Sequence, residues 1–210
     1  MSFSTLPFLF YFLPVFLTAY YLSPAIWRNL VLGAGSLLFY YLGAGTGGTL
    51  TLLALIVINF SAARLIEDAH GDERKAFTVL ALACDFGSLF YFKYMGWFLE
   101  NLGKLTETDL SFFHVALPLG VSFYVFQSAA YVIDVYRGDA DAERSLINYT
   151  AFQAMFPQLT MGPILRLRDV HSELHARRSF RRENLEDGFS LFVVGLGCKV
   201  ILADQFATLW

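Results

Sequence analysis

Long stretches without charge, interrupted by short polar runs, dominate the chain. From Met1 to Ala63 the only charged side chain is Arg28. A helix needs about 20 apolar residues to cross the hydrocarbon of a bilayer at 1.5 Å rise per residue. The pattern therefore predicts three spans here, roughly Leu6–Leu22, Asn29–Leu42 and Thr49–Ala63. Ser23-Pro24 with Arg28 separates the first two, and the Gly43-Ala44-Gly45-Thr46-Gly47-Gly48 turn separates the second from the third. The second is short and reads as tilted or partly re-entrant.

Arg64 to Lys75 reads as a polar loop, followed by a fourth span, Ala76–Phe92, whose single charge is Asp85 and which Lys93 closes. A carboxylate at membrane depth is costly, so Asp85 is expected to face protein, water or a cation such as Lys93. Gly96–Leu102 forms an amphipathic remainder, and Thr106 to Asp109 a loop or short helix start. Leu110–Ile133 is uncharged and predicts a fifth span, kinked at Pro118 and Gly120. The segment Asp134 to Asp139 ends it at an interface, where tyrosine and charged residues are at home.

Ser145–Leu165 also lacks charge but carries Asn148, Gln153, Pro157, Gln158, Gly162 and Pro163. Interrupted backbone at membrane depth is tolerated only where protein or a water-filled cavity covers it, so a re-entrant or cavity-lining segment is expected. Arg166 to Asp187 reads as a solvated, arginine-rich loop, and Gly188–Ala203 as a further span with Lys199 snorkelling near its end. With the N-terminus outside, Arg28, the 64–75 loop, Arg137 and the arginine-rich run fall on the cytoplasmic side, as the bias of basic residues requires. Lys93 and Lys104 are then the exceptions. The fold class that follows is all-α, a polytopic transmembrane bundle with kinked and re-entrant helices.

Composition agrees with a lipid solvent. Of 210 residues, 56% are hydrophobic and 16% charged, against about 25% charged in soluble domains. Twenty-two Phe and eleven Tyr exceed what a water-soluble core of this length hides. A net charge of −3 gives no basic balance for phosphate neutralisation and excludes a nucleic-acid partner. No basic residue precedes the first apolar run, which argues against a cleaved leader. Cys84 and Cys198 lie inside apolar runs and read as packing thiols.

Residue spacing alone names no reaction. His171 and His175 share a helix face at i, i+4, but the residues between them do not make the zinc-protease pattern, and a solvated helix is the preferred reading, with no metal expected. His114, among Phe112, Phe113 and Val115, is either a proton-transfer group or an interface residue. No phosphate loop, nucleophile elbow or carboxylate cluster occurs.

Three runs nevertheless carry a resemblance: Phe92-Lys93-Tyr94; Leu117-Pro118-Leu119-Gly120-Val121-Ser122-Phe123-Tyr124-Val125-Phe126-Gln127; and Tyr131-Val132-Ile133-Asp134-Val135-Tyr136-Arg137-Gly138. Phe156-Pro157-Gln158 and Gly162-Pro163-Ile164-Leu165-Arg166 extend it. In order and combination they resemble the membrane-bound O-acyltransferase family, in its alginate O-acetyltransferase branch. The resemblance implies an enzyme of the bacterial inner membrane that passes an acetyl group from a cytoplasmic-side or membrane donor, acetyl-CoA or an acyl-carrier thioester, through a tunnel to hydroxyls of an exported polysaccharide. It implies no tightly bound cofactor, and it implies periplasmic or membrane acetylation partners. The family's catalytic histidine has no match among these residues and is expected beyond Trp210. Residues 1–210 are accordingly expected to be one membrane-embedded, N-terminal unit of a longer enzyme. Gln127, Asp134, Arg137, Gln158, Pro163 and Arg166 are the candidate tunnel-lining or helix-orienting residues, with Asp85 and His114 behind them. The alternatives are transfer of D-alanine toward teichoic acid and a non-enzymatic transporter or assembly subunit.

Overall fold

The computed structural model describes residues 3–106, 117–159, 162–176, 178 and 182–207. Among them the regular structure is helical throughout. Phe8–Phe12 forms a π turn that runs into α1 (Leu13–Leu22). Then follow α2 (Arg28–Asp68), α3 (Gly71–Leu89), a π turn at Phe90–Tyr94 and α4 (Met95–Thr106). After α5 (Val121–Arg137), α6 (Leu146–Gln153), α7 (Phe156–Leu159) and α8 (Leu167–His175) are short. The last continuous helix comprises α9 (Arg182–Gly197), a π turn at Cys198–Ala203 and α10 (Asp204–Ala207).

Helix α2 is two antiparallel arms. Gly45 has φ 70° and ψ −173°, a conformation that side-chain-bearing residues avoid, and the chain reverses there. Asn29 on the first arm hydrogen-bonds Asn148 at 2.8 Å, while the Phe60 ring on the second arm lies 6.0 Å from that of Tyr149, the next residue along α6. A straight helix would hold positions 29 and 60 roughly 45 Å apart. The glycine-rich turn expected between the second and third spans is thus present, and the arms are roughly 25 and 35 Å long.

Around this hairpin the main core gathers Tyr40, Leu52, Ile56 and Ile66 of α2 with Tyr124, Val125, Tyr131 and Val132 of α5 and Tyr149 and Phe152 of α6, all fully buried. Helix α5 is the central element. Its start is fixed by Gly120 and by the Tyr40 hydroxyl, which donates to the Leu119 carbonyl at 2.8 Å. A second, aromatic cluster joins Phe8, Phe39 and Phe156, with Phe12, Phe16 and Phe192 against it. The Phe156 ring meets those of Phe12 and Phe16 edge-on at 5.6 and 5.2 Å, a geometry aromatic quadrupoles favour.

Among the described residues, three helices are long and apolar enough to cross a membrane: Ala25–Asp68, Gly71–Thr106 and Arg182–Ala207. The first contributes both arms of the hairpin, and the shorter Phe8–Leu22 helix is apolar too. Phe189, Leu191, Val194, Ile201 and Phe206 are exposed along the last helix, which buries no residue. In water that surface would be prohibitive; a bilayer tolerates it.

Several boundaries differ from the expected ones. Arg64 to Lys75 is helical except at Ala69-His70, because Ala63 and Ile66 stay buried and hold the second arm of α2 in register beyond its first charges. Of the stretch expected as a fifth span, the described helix is α5 from Val121 to Arg137, with Pro118 and Gly120 outside it as a boundary; Leu110 to Ala116, and Glu107 to Asp109 before them, lie outside the described residues. Within the arginine-rich run the structure forms α8, whose Leu167 and Leu174 are buried, and α9 starts at Arg182. The Ser145–Leu165 stretch is broken as expected, into α6, α7 and irregular backbone at 162–166. Cys84 is half-buried and Cys198 exposed, so only the first is partly a packing thiol.

Candidate functional site

The broken α6–α7 stretch exposes helix ends inside the bundle, and side-chain amides meet them. A helix leaves its last carbonyls without intrahelical donors, and lipid supplies none. The Phe152 carbonyl, one residue from the end of α6, accepts from Gln127 Nε2 of α5 and from Gln158 Nε2 of α7, both at 3.2 Å. Gln153 Nε2 donates to the Tyr124 carbonyl at 2.7 Å and to Ser128 Oγ at 2.8 Å. Ser36 Oγ of α2 accepts from the Phe156 amide at 3.2 Å, fixing the start of α7. Gln127, Gln153 and Gln158 are all buried.

A second feature lies at the C-terminal end of α5. Asp134, buried, faces Arg166 at 3.6 Å, so the helix end carries a carboxylate that only a cation makes tolerable there. Arg166 is half-exposed and caps the start of α8 with extended backbone. Of the expected site residues, the structure brings together Gln127 with Gln158 and Asp134 with Arg166. Arg137 is exposed in the last turn of α5, and Pro163 is exposed in the irregular segment between α7 and α8. His114 lies outside the described residues. So does Trp210; the described part of the last helix reaches Ala207.

Asp85 is placed elsewhere and is not paired with Lys93. Eight helical positions separate the two, about 12 Å along the axis. Lys93 instead lies 5.6 Å from the ring centroid of Tyr94. Asp85, fully buried, accepts from Asn59 Nδ2 at 2.7 Å.

The charged ends of the elements collect at one end of the bundle. Arg74 reaches the Val135 carbonyl at 3.0 Å, Glu67 accepts from the Ala142 amide at 2.9 Å, and Asn29 bonds both Asn148 and the Leu174 carbonyl. The Arg28 guanidinium donates to the Arg178 carbonyl, while Arg178 itself donates to the Tyr20 hydroxyl and the Glu173 carbonyl at 2.7 and 3.0 Å. A cavity of about 290 Å³ opens here, lined by Arg28, Asn29, Asn148, His175 and Arg178 among others. Sequence reading did not bring these residues together, because they stand up to 158 positions apart, the separation of Tyr20 from Arg178.

Comparison with known proteins adds a likeness that runs the whole length of the chain. It is 38% identical over 219 residues to the alginate O-acetylase of Azotobacter vinelandii, covering 99% of this chain and 42% of that one. The corresponding protein of Pseudomonas aeruginosa is also 38% identical, with 100% of this chain and 41% of that one covered. This chain resembles the membrane-bound O-acyltransferase family in its alginate O-acetylase branch. A peptidoglycan O-acetyltransferase of Helicobacter pylori is a more distant O-acetyltransferase relative, 26% identical over 241 residues, with 99% of this chain and 45% of that one covered. The chain thus spans less than half the length of these acetyltransferases. No family model and no solved structure matches it.

Proposed function

We propose that this chain is the N-terminal, membrane-embedded unit of an O-acetyltransferase that transfers an acetyl group to hydroxyls of an exported, alginate-like polysaccharide. The supporting observation is the 38% identity to alginate O-acetylases along 99% of the chain. In this reading the general base that activates the acceptor hydroxyl belongs to the part of the relatives this chain does not match. The described residues supply scaffold and one wall of the acyl path. Basic groups gathered at one end of the bundle support a reading in which that end faces the cytoplasm from a bacterial inner membrane and the N-terminus lies outside. The acyl donor, acetyl-CoA or a carrier thioester, approaches from that basic end, and the polysaccharide and its acetylation partners meet the opposite one.

The test is the acetyl-ester content of the secreted polymer in cells with and without the intact gene. Its loss on deletion and return on complementation are expected; unchanged acetylation overturns the reading. The likeness to a peptidoglycan O-acetyltransferase favours one second reading, in which the acceptor is peptidoglycan. Loss of acetyl esters from purified cell wall, with the secreted polymer unaffected, would select it.

Within the complemented strain, Gln158→Leu should lower acetylation by about tenfold, the equivalent of one buried hydrogen bond, and Arg166→Ala, which removes a half-exposed ion pair, should lower it less. Membrane insertion, followed by the amount of protein in the membrane fraction, should stay at the wild-type level. Wild-type acetylation in both variants would mean that these residues only mark an interface.

A further inference from the structure

Outside the amide network, three ligand-type side chains converge at the basic end of the bundle. Glu143 comes from the connection between α5 and α6, and His171 and His175 from one face of α8. Glu143 is 3% exposed. Its Oε1 accepts from the Ser145 amide at 2.9 Å, whereas Oε2 makes no hydrogen bond and points at the two imidazoles. Oε2 lies 3.5 Å from His175 Nε2 and 3.9 Å from His171 Nε2, and the three ligand atoms all lie within 4.8 Å of one another. The imidazoles face each other with centroids 4.2 Å apart.

We infer that Glu143, His171 and His175 form a binding site for a divalent transition-metal ion, zinc foremost, that clips α8 to the connection between α5 and α6. Zinc bonds of 2.0–2.2 Å in tetrahedral geometry put neighbouring ligand atoms about 3.4 Å apart. The two Glu143 distances, 3.5 and 3.9 Å, come within about half an ångström of that spacing. Two imidazoles and a carboxylate are a zinc donor set, and they leave a fourth position for water. The tautomer needed at His175 is already favoured: its Nδ1 lies 3.0 Å from the His171 carbonyl, and donation there leaves the Nε2 lone pair turned toward Glu143. Asn148 Nδ2, 3.3 Å from the same Nε2, competes for that lone pair, and its amide must turn away when an ion binds.

An ion pair explains the cluster less well. A proton on one imidazole leaves the Nε2 of the other without a bond to Glu143, and protons on both set two cations face to face at 4.2 Å. One divalent ion satisfies both nitrogens and the buried oxygen together. Entry is open, since both histidine side chains are nearly half-exposed, 47% for His171 and 44% for His175.

The experiment uses the full-length protein purified in detergent without a polyhistidine tag, stripped with a chelator and titrated with zinc chloride against a chromogenic competitor. One equivalent is expected to bind with micromolar or tighter affinity, raising the thermal midpoint of the wild type. Cobalt(II) in its place should give the visible bands of a four-coordinate N/O site. His171→Ala and Glu143→Gln should each weaken binding at least about tenfold and remove the thermal shift. The glutamine can still accept from the Ser145 amide, and His171 is surface-exposed, so both variants should fold. Absence of saturable binding to the wild type, or unchanged affinity in the His171→Ala, His175→Ala double variant, overturns the site.

Discussion

Asn59→Ala should cost the purified protein about 1.5–3 kcal/mol, the range for a hydrogen bond to a charged group. Asn59 and Asp85 are both fully buried, one on the second arm of α2 and the other on α3. Asn59 Nδ2 donates to Asp85 Oδ1 at 2.7 Å and to the Leu55 carbonyl at 3.0 Å, and the second carboxyl oxygen makes no hydrogen bond. Alanine removes the carboxyl group's side-chain donor at a depth where no bulk water replaces it. Replacing both partners by leucine should recover most of the loss, because the penalty comes from the stranded polar group and not from the absent bond. Thermal unfolding in detergent of wild type, both single variants and the double variant measures the coupling. A change below about 0.5 kcal/mol for Asn59→Ala, the scatter of ordinary surface substitutions, would show that Asp85 has another donor.

The same pair illustrates what the amino-acid pattern conceals. Counting charges locates spans well: Arg28 and the glycine-rich turn divide the first 63 residues correctly, and Pro157, Gly162 and Pro163 announce the broken stretch. Charge counting also leaves the surroundings of Asp85 open among protein, water and a cation such as Lys93, and the structure supplies protein. An uncharged asparagine inside an apolar helix gives no such signal, and its meeting with Asp85 depends on how α2 packs against α3. The opposite error occurs at helix ends. Arg64, Glu67 and Asp68 look like loop residues, yet Ala63 and Ile66 beneath them are buried and carry the helix onward. In α8 the apolar positions Leu167, Val170 and Leu174 recur at helical spacing among the arginines, and Leu167 and Leu174 are buried.

The site residues divide along the same physical line. Gln127 and Gln158 are visible in sequence as polar groups where none is cheap, and both cap the end of α6. Asp134 and Arg166 are legible singly as interface charges; their pairing requires α8 to fold back on the end of α5. His171 and His175 declare a shared helix face by spacing. Glu143, 28 positions before His171, gives no local sign of facing them.

Gly162→Val should be the most damaging single change in the broken stretch. A Cβ at Gly162 would lie 2.4 Å from Gln158 Cα, 2.6 Å from its Cβ and 3.1 Å from its carbonyl oxygen. The obstacle is largely backbone, so no flexible side chain can swing aside, and relief requires opening the turn in which the Gly162 amide donates to the Gln158 carbonyl at 3.0 Å. Opening it carries Gln158 away from the Phe152 carbonyl and uncaps α6. Overpacking of this kind costs about 1–3 kcal/mol, with about 1 kcal/mol more for the lost hydrogen bond. Thermal unfolding should register the sum, and acetylation in the complemented strain should fall toward that of the deletion. Gly188→Ala is the matched control: a Cβ there meets nothing within 4 Å, and within α9 alanine gains up to about 1 kcal/mol of helix propensity. A Gly162→Val protein as stable as the Gly188→Ala protein would mean that the turn between α7 and α8 has room the geometry denies it.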